Sequence, residues 1–159
     1  MFVTKPVIFQ SPYQLDESVR RLAAALKEAE TGFGQGPVFV GEANERVVEV
    51  QRLSRYSENW FNPYFLGHFE QIDSKTVLKG VFTTHWIVKL FLAGWTLFSF
   101  IWIAFGLLVL LVSQSAAWMF LLSGLVILVS GLAFYKIGTF NSKTHISLIS
   151  EFIDRTISH

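Results

Sequence analysis

The sequence predicts an α+β domain joined to a pair of membrane-crossing helices, and three observations carry that reading. Leu90 to Tyr135 is a run of 46 residues without Asp, Glu, Lys, Arg or His. Residues 38–86 alternate β-branched and aromatic residues with polar ones, as half-buried strands do. Two amphipathic stretches at helical spacing flank these segments, one near each end of the chain. The expected fold is an N-terminal strand and amphipathic helix packed on an antiparallel β-meander. It is followed by a two-helix transmembrane hairpin and a C-terminal amphipathic helix that packs back on the sheet. The corresponding segments are 1–86, 87–137 and 138–159.

Composition follows the same division. Of 159 residues, 52% are hydrophobic, and nine of the 13 Lys and Arg and ten of the 12 Asp and Glu precede Lys89. The net charge of +1 is far from the concentrated basic face that nucleic-acid binding requires, so no nucleic acid is expected. With no cysteine, disulfides, thiol chemistry and Cys-based zinc sites are excluded.

Taken in order, Phe2 to Thr4 and Val7 to Phe9 read as an edge strand, interrupted by Pro6, which cannot donate to a ladder. Ser11-Pro12-Tyr13-Gln14 has the residues of a capping box. A helix then runs to about Thr31 with Leu15, Val19, Leu22 and Leu26 on one stripe, and with the pairs Asp16–Arg20 and Glu17–Arg21 on the other side. Gly32 to Pro37 is a turn; without a following Lys or helix start its three glycines do not make a phosphate loop. Val38 to Val40, Arg46 to Tyr56, Phe61 to Ile72 and Thr76 to Trp86 are expected strands, the last two forming a hairpin around Asp73-Ser74-Lys75. Phe65, Phe69 and Phe82 share these strands with Leu66, Val77 and Val81, so both faces of the sheet carry apolar residues. One face suits the first helix. The other needs the C-terminal helix, the membrane surface, a partner or a ligand cavity.

A bilayer-crossing helix takes about 20 apolar residues, so the uncharged run is long enough for two spans, near 90–112 and 117–135, with Ser113 to Ala117 as the loop. Trp86, Trp118 and Tyr135 suit the aromatic belts, and Lys89 and Lys136 the flanks. The positive-inside rule then puts both termini in the cytoplasm and the short loop outside. Small residues recur every seven: Ser99, Gly106 and Ser113, then Ser123 with Ser130 and Gly124 with Gly131. That spacing keeps them on one face for helix packing. Lys143 to Ile157 closes the chain with Ile146, Ile149, Ile153 and Ile157 on one stripe and Phe152 beside it.

No catalytic constellation emerges. His68, His85, His145 and His159 show no helical metal spacing, and His68 with Glu70 has no third ligand. The expectation is a non-enzymatic protein with no cofactor and no metal. Its partners are the lipid bilayer and either a protein partner or a second copy of itself. The alternative is a lipid or other apolar ligand held in a cavity lined by Phe65, Phe69, Phe82 and Phe152.

Arg21-Leu22, Arg52-Leu53, Asn62-Pro63-Tyr64-Phe65-Leu66-Gly67, Thr76-Val77-Leu78-Lys79-Gly80 and Glu151-Phe152-Ile153 stand in an order that resembles a widespread group of small, uncharacterised bacterial membrane proteins. In that group Ser often stands where this chain has Pro63. The resemblance implies a bacterial inner-membrane protein with this layout and transfers no activity. Element order alone is also similar to helix-grip lipid-binding domains and to pleckstrin-homology-like meanders, a likeness that bears on fold and not on function.

Overall fold

The computed structural model describes residues 6–31, 38–53, 61–73, 75–140 and 142–158. It divides into two units, one formed by residues 1–85 with 141–159 and the other by Trp86–Phe140. The C-terminal segment therefore belongs with the sheet, although the two long apolar helices separate them in sequence.

The sheet unit is α+β. Its elements are β1 (Val7–Ser11), α1 (Leu15–Thr31), β2 (Val38–Ala43), β3 (Val48–Leu53), β4 (Tyr64–Ile72), β5 (Lys75–Thr83) and, after the apolar helices, α4 (Ser142–Ser158). The five strands form one antiparallel sheet in the order β1-β5-β4-β3-β2. Strands β2 to β5 are a meander of hairpins, and β1 adds itself to the free edge of β5, pairing Val7 with Gly80 and Ser11 with Thr76. Two turns show why the hairpins close where they do. Asn44 Oδ1 accepts the backbone N–H groups of Arg46 (3.0 Å) and Val47 (2.8 Å), so its side chain folds the β2–β3 connection. Between Ile72 and Lys75, Asp73 takes φ +50°, which an Asp in a two-residue hairpin turn accepts readily.

Alternation sorts the strands into two faces. Val7, Phe9 and Ser11 on β1, Leu78 and Phe82 on β5, Phe65 and Phe69 on β4, and Val48 and Val50 on β3 share one face in register. That face meets Leu22 and Leu26 of α1 and the fully buried Ile149, Ile153 and Ile157 of α4 in a single core. Each such side chain contributes about 1.5–3 kcal/mol through burial. Both helices lie on the same face of the sheet. Of the four covers expected for the second face, the C-terminal helix is therefore ruled out.

Two glycines make room in this core. Gly67 and Gly80 are cross-strand partners, and a Cβ on either would meet the Phe65 ring at 2.8 or 2.5 Å. The ring lies over the pair, filling the space two side chains would otherwise occupy. Gly41, at φ +151°, answers a different need: a Cβ there would lie 1.9 Å from the Glu49 carbonyl oxygen.

The helix expected from a capping box at Ser11 begins later. Ser11 ends β1, Gln14 accepts the first helical hydrogen bond from the Ser18 N–H (2.9 Å), and α1 starts at Leu15. Pairing of Ser11 with Thr76 holds it in the strand, and its hydroxyl is used elsewhere. Ser11 Oγ donates to the carbonyl of Ile157 (2.9 Å) and lies 2.8 Å from Ser18 Oγ. This joins β1, α1 and the last turn of α4, whose carbonyls have no partner within the helix. On the outer side of α1, Glu17 pairs with both Arg20 and Arg21. The expected pair of Arg20 with Asp16 is thereby displaced, since the carboxylate one turn back reaches both guanidinium groups. Of the expected first strand, Phe2 to Thr4 lie outside the described residues, as do Gly32 to Pro37 and the end of the strand expected to reach Tyr56.

The second unit holds α2 (Trp86–Leu110) and α3 (Gln114–Gly138), each 25 residues long and apolar enough to cross a membrane. At 1.5 Å per residue each is about 37 Å long, against a hydrocarbon core of about 30 Å. The loop expected over Ser113 to Ala117 shrinks to a turn at Leu111 to Ser113. Gln114 to Ala117 are helical, because the Ala117 N–H already bonds the Ser113 carbonyl at 3.1 Å.

Candidate functional site

Phe65, Phe69 and Phe82, expected at a ligand cavity or partner surface, are core residues. Phe65 meets Phe9 edge-on at 5.7 Å and Phe82 at 5.4 Å, and all are nearly or fully shielded from solvent. Phe152 is half-buried and stacks on Phe39 at 4.2 Å with an interplanar angle of 15°. The rings occupy the space between sheet and helices. What looked like a binding surface in sequence is packing, because the glycine pair lets the Phe65 ring lie down against the sheet.

The accessible apolar surface lies on the opposite face. Ile8 on β1, Leu66 on β4 and Val47 just before β3 are 55%, 38% and 44% exposed, with β5 lying between β1 and β4. A shallow hollow there is lined by Val47, Leu66 and Val81 together with Arg46, His68 and Lys79. One row along, Glu49 stands opposite Leu66 on β4 and Glu42 on β2. Basic and acidic groups thus sit in adjacent rows around an apolar strip. Lys79 also reaches Glu70 at 3.7 Å, an exposed pair of small energetic weight.

A third feature lies at the other end of the helix-covered face. Arg52 follows Val48 and Val50 on their face of β3, and Phe39 is its partner across the ladder. His145 begins the α4 stripe that continues as Ile149, Ile153 and Ile157, and it is only 6% exposed. Arg52 Nε and His145 Nδ1 are both shielded from solvent and have no hydrogen-bond partner among the described residues. Burial pushes the imidazole below its ordinary pKa, and the positive charge of Arg52 pushes it the same way. An unsatisfied buried polar group costs about 1–3 kcal/mol, so two together are an expensive feature for packing alone to explain. The available signal was a lone His on an otherwise Ile stripe and an Arg two residues after a buried Val. Each is unremarkable until the fold brings β3 and α4 together.

In the helical unit the small residues form the seam. Ser99 is fully buried, and the Cβ that Gly106 lacks would lie 3.0 Å from Phe120 Cβ. The one Gly124 lacks would lie 2.7 Å from Ile103, and the one Gly131 lacks 2.4 Å from the Trp95 indole. Two tryptophans add polar contacts that the spacing did not reveal. Trp95 Nε1 donates to the Ile127 carbonyl (2.8 Å), which also accepts from Ser130 Oγ, and Trp102 Nε1 donates to Ser123 Oγ (2.9 Å). Ser113 precedes α3 as its cap residue. Among the residues expected at membrane interfaces, Trp86 opens α2, Trp118 lies in the first turns of α3, and Tyr135 and Lys136 lie in its last turn. Trp86, Trp118 and Lys136 are exposed, while Lys89 and Tyr135 are half-buried.

Among the described residues no group of three His, Asp or Glu side chains is placed to hold a metal ion. No protein-family model matches the chain, and neither the curated proteins nor the solved structures give a match.

Proposed function

We propose that this chain is a small, two-span integral membrane protein of the bacterial inner membrane whose α+β domain is non-enzymatic. In this reading the domain serves assembly, and its open sheet face docks on a second copy of the chain. The carrying observation is the open sheet face on which Ile8, Lys79 and His68 form one row and Val81, Leu66, Glu49 and Glu42 the next, with Val47 and Arg46 beside them at the β2–β3 turn. A patch that carries both signs side by side is complementary to itself under a two-fold rotation, which sets each row against the opposite row of its mate. The two apolar helices provide the anchor, with both termini cytoplasmic by the positive-inside rule.

Because the chain has no cysteine, single-cysteine probes are clean. Leu66→Cys in native membranes should give a dimer with a short bis-maleimide linker, and Asp16→Cys, on the solvent side of α1, should not. Failure of Leu66→Cys to cross-link, or an adduct with a different protein, overturns self-assembly. Ser115→Cys should react with a membrane-impermeant thiol reagent in intact cells, and protection there reverses the orientation.

A further inference from the structure

The geometry points to an oxyanion-binding site between β3 and α4, in which Arg52 and His145 together hold one phosphate-type group. This lies on the helix-covered face of the sheet and is independent of the open face proposed for assembly.

Two observations meet there. The first is that two nitrogen atoms, from elements far apart in sequence, are buried at the same end of one interface without partners among the described residues. Buried polar groups in folded proteins are almost always satisfied, and a pair left open together is the mark of a missing third party. The second is the charge. Arg52 is permanently cationic, and among the described residues its guanidinium is the charge that acts on His145, in the same direction as burial. The group that completes such a pair is an acceptor carrying negative charge.

The chemistry fits an oxyanion in particular. Arg52 Nε–H and an imidazole N–H at Nδ1 are two donors, and a tetrahedral oxyanion offers two oxygens to accept them at once. Binding also reverses the electrostatics felt by the imidazole, since an adjacent negative charge favours its protonated form where Arg52 alone opposes it. The surroundings support this arrangement. Phe39, across the ladder from Arg52, stacks on Phe152, two turns after His145 on α4, and sets an apolar neighbour beside the pair, which strengthens charge-assisted hydrogen bonds. Arg52 itself is only half-buried, so solvent reaches part of its side chain.

Free phosphate and the phosphomonoester headgroup of an anionic lipid share this chemistry, and one experiment separates them. The full-length protein, carrying isotope-labelled histidine, is placed in phosphatidylcholine nanodiscs and titrated with inorganic phosphate, then compared in nanodiscs containing phosphatidic acid. His145 is identified among the four histidines by its loss in His145→Gln. Saturable movement of the His145 signals toward the protonated imidazole with inorganic phosphate supports a free oxyanion as the ligand. The same movement only with phosphatidic acid supports a lipid headgroup. Arg52→Lys, which keeps the charge but loses the Nε donor, should weaken binding by roughly tenfold or more while leaving the remaining spectrum folded. Unmoved His145 signals in both series, or undiminished affinity in Arg52→Lys, overturn the proposal.

Discussion

The sheet unit and the helical unit both use glycine to admit an aromatic ring, but for different reasons. In the sheet unit Gly67 and Gly80 let the Phe65 ring lie flat inside a core that holds thirteen buried apolar residues among the described ones, where exclusion from water supplies the driving force. In the helical unit Gly124 and Gly131 receive Trp102 and Trp95, yet most of the surrounding helix surface is apolar and exposed. In a bilayer that surface gains nothing by leaving lipid. Association there rests on close packing and on the two indole hydrogen bonds. One unit is held by how much it buries and the other by how closely it fits.

That contrast is most directly broken at Phe65. Phe65→Ala should remove about 3–5 kcal/mol from the sheet unit, seen as lost hydrogen-exchange protection across β3, β4 and β5 with the amides of α2 and α3 unchanged. Gly131→Val is the counterpart. With a Cβ forced against Trp95, it should cost about 1–3 kcal/mol and speed exchange of the Trp95 indole N–H while leaving the sheet amides protected. Ser11→Ala leaves the Ile157 carbonyl without its donor, so exchange at the end of α4 should reveal a loss of about 1–2 kcal/mol. Ser123→Ala unmates the Trp102 indole, and the expected effect is only about 0.6 kcal/mol, in keeping with the mean for polar contacts between membrane helices.

Titration provides a finer separation. His145 has a depressed pKa in the fold, so the unfolded chain takes up the proton first. The stability linked to keeping His145 neutral is fully present above the ordinary histidine value of about 6.5 and is lost as pH falls through the lower folded value. His145→Gln should abolish that segment of the acid dependence. Glu17 is likewise depressed, chiefly by its hydrogen bond to Arg21, and its contribution is present above the usual carboxylate range and lost below it. On the solvent side of α1, where water screens its pairs with Arg20 and Arg21, it is the smaller effect, and Glu17→Gln should leave the histidine segment intact.

The elements of this fold were legible because their periodicities are clean. The Ile146 to Ile157 stripe, the Leu15 to Leu26 stripe and the alternation of Val48 and Val50 each point to a single surface, and α4, α1 and β3 use those surfaces. The two apolar helices were legible from length and the absence of charge. Their joint was not, since Gln114 to Ala117 have loop-like composition yet complete the first turn of α3. Which face of the sheet the C-terminal helix would take was also hidden, because Phe65 and Leu66 are equally apolar. The decision lies in Gly67 and Gly80, which open space on one side only. The pairing of Arg52 with His145 was invisible for another reason: 93 residues separate them, and neither carries a local pattern that names the other.

The late position of α4 has a consequence for how the protein is made. Ile149, Ile153 and Ile157 complete the core that β1 to β5 and α1 begin, but the ribosome delivers them only after both apolar helices have been translated. Until then α1 alone covers the hydrophobic face of the nascent sheet, and the part that α4 will take stays exposed, the kind of surface that makes a folding chain prone to aggregate. Completion of the core is thus timed to follow synthesis of both apolar helices, which no order of folding among β1 to β5 and α1 can bring forward.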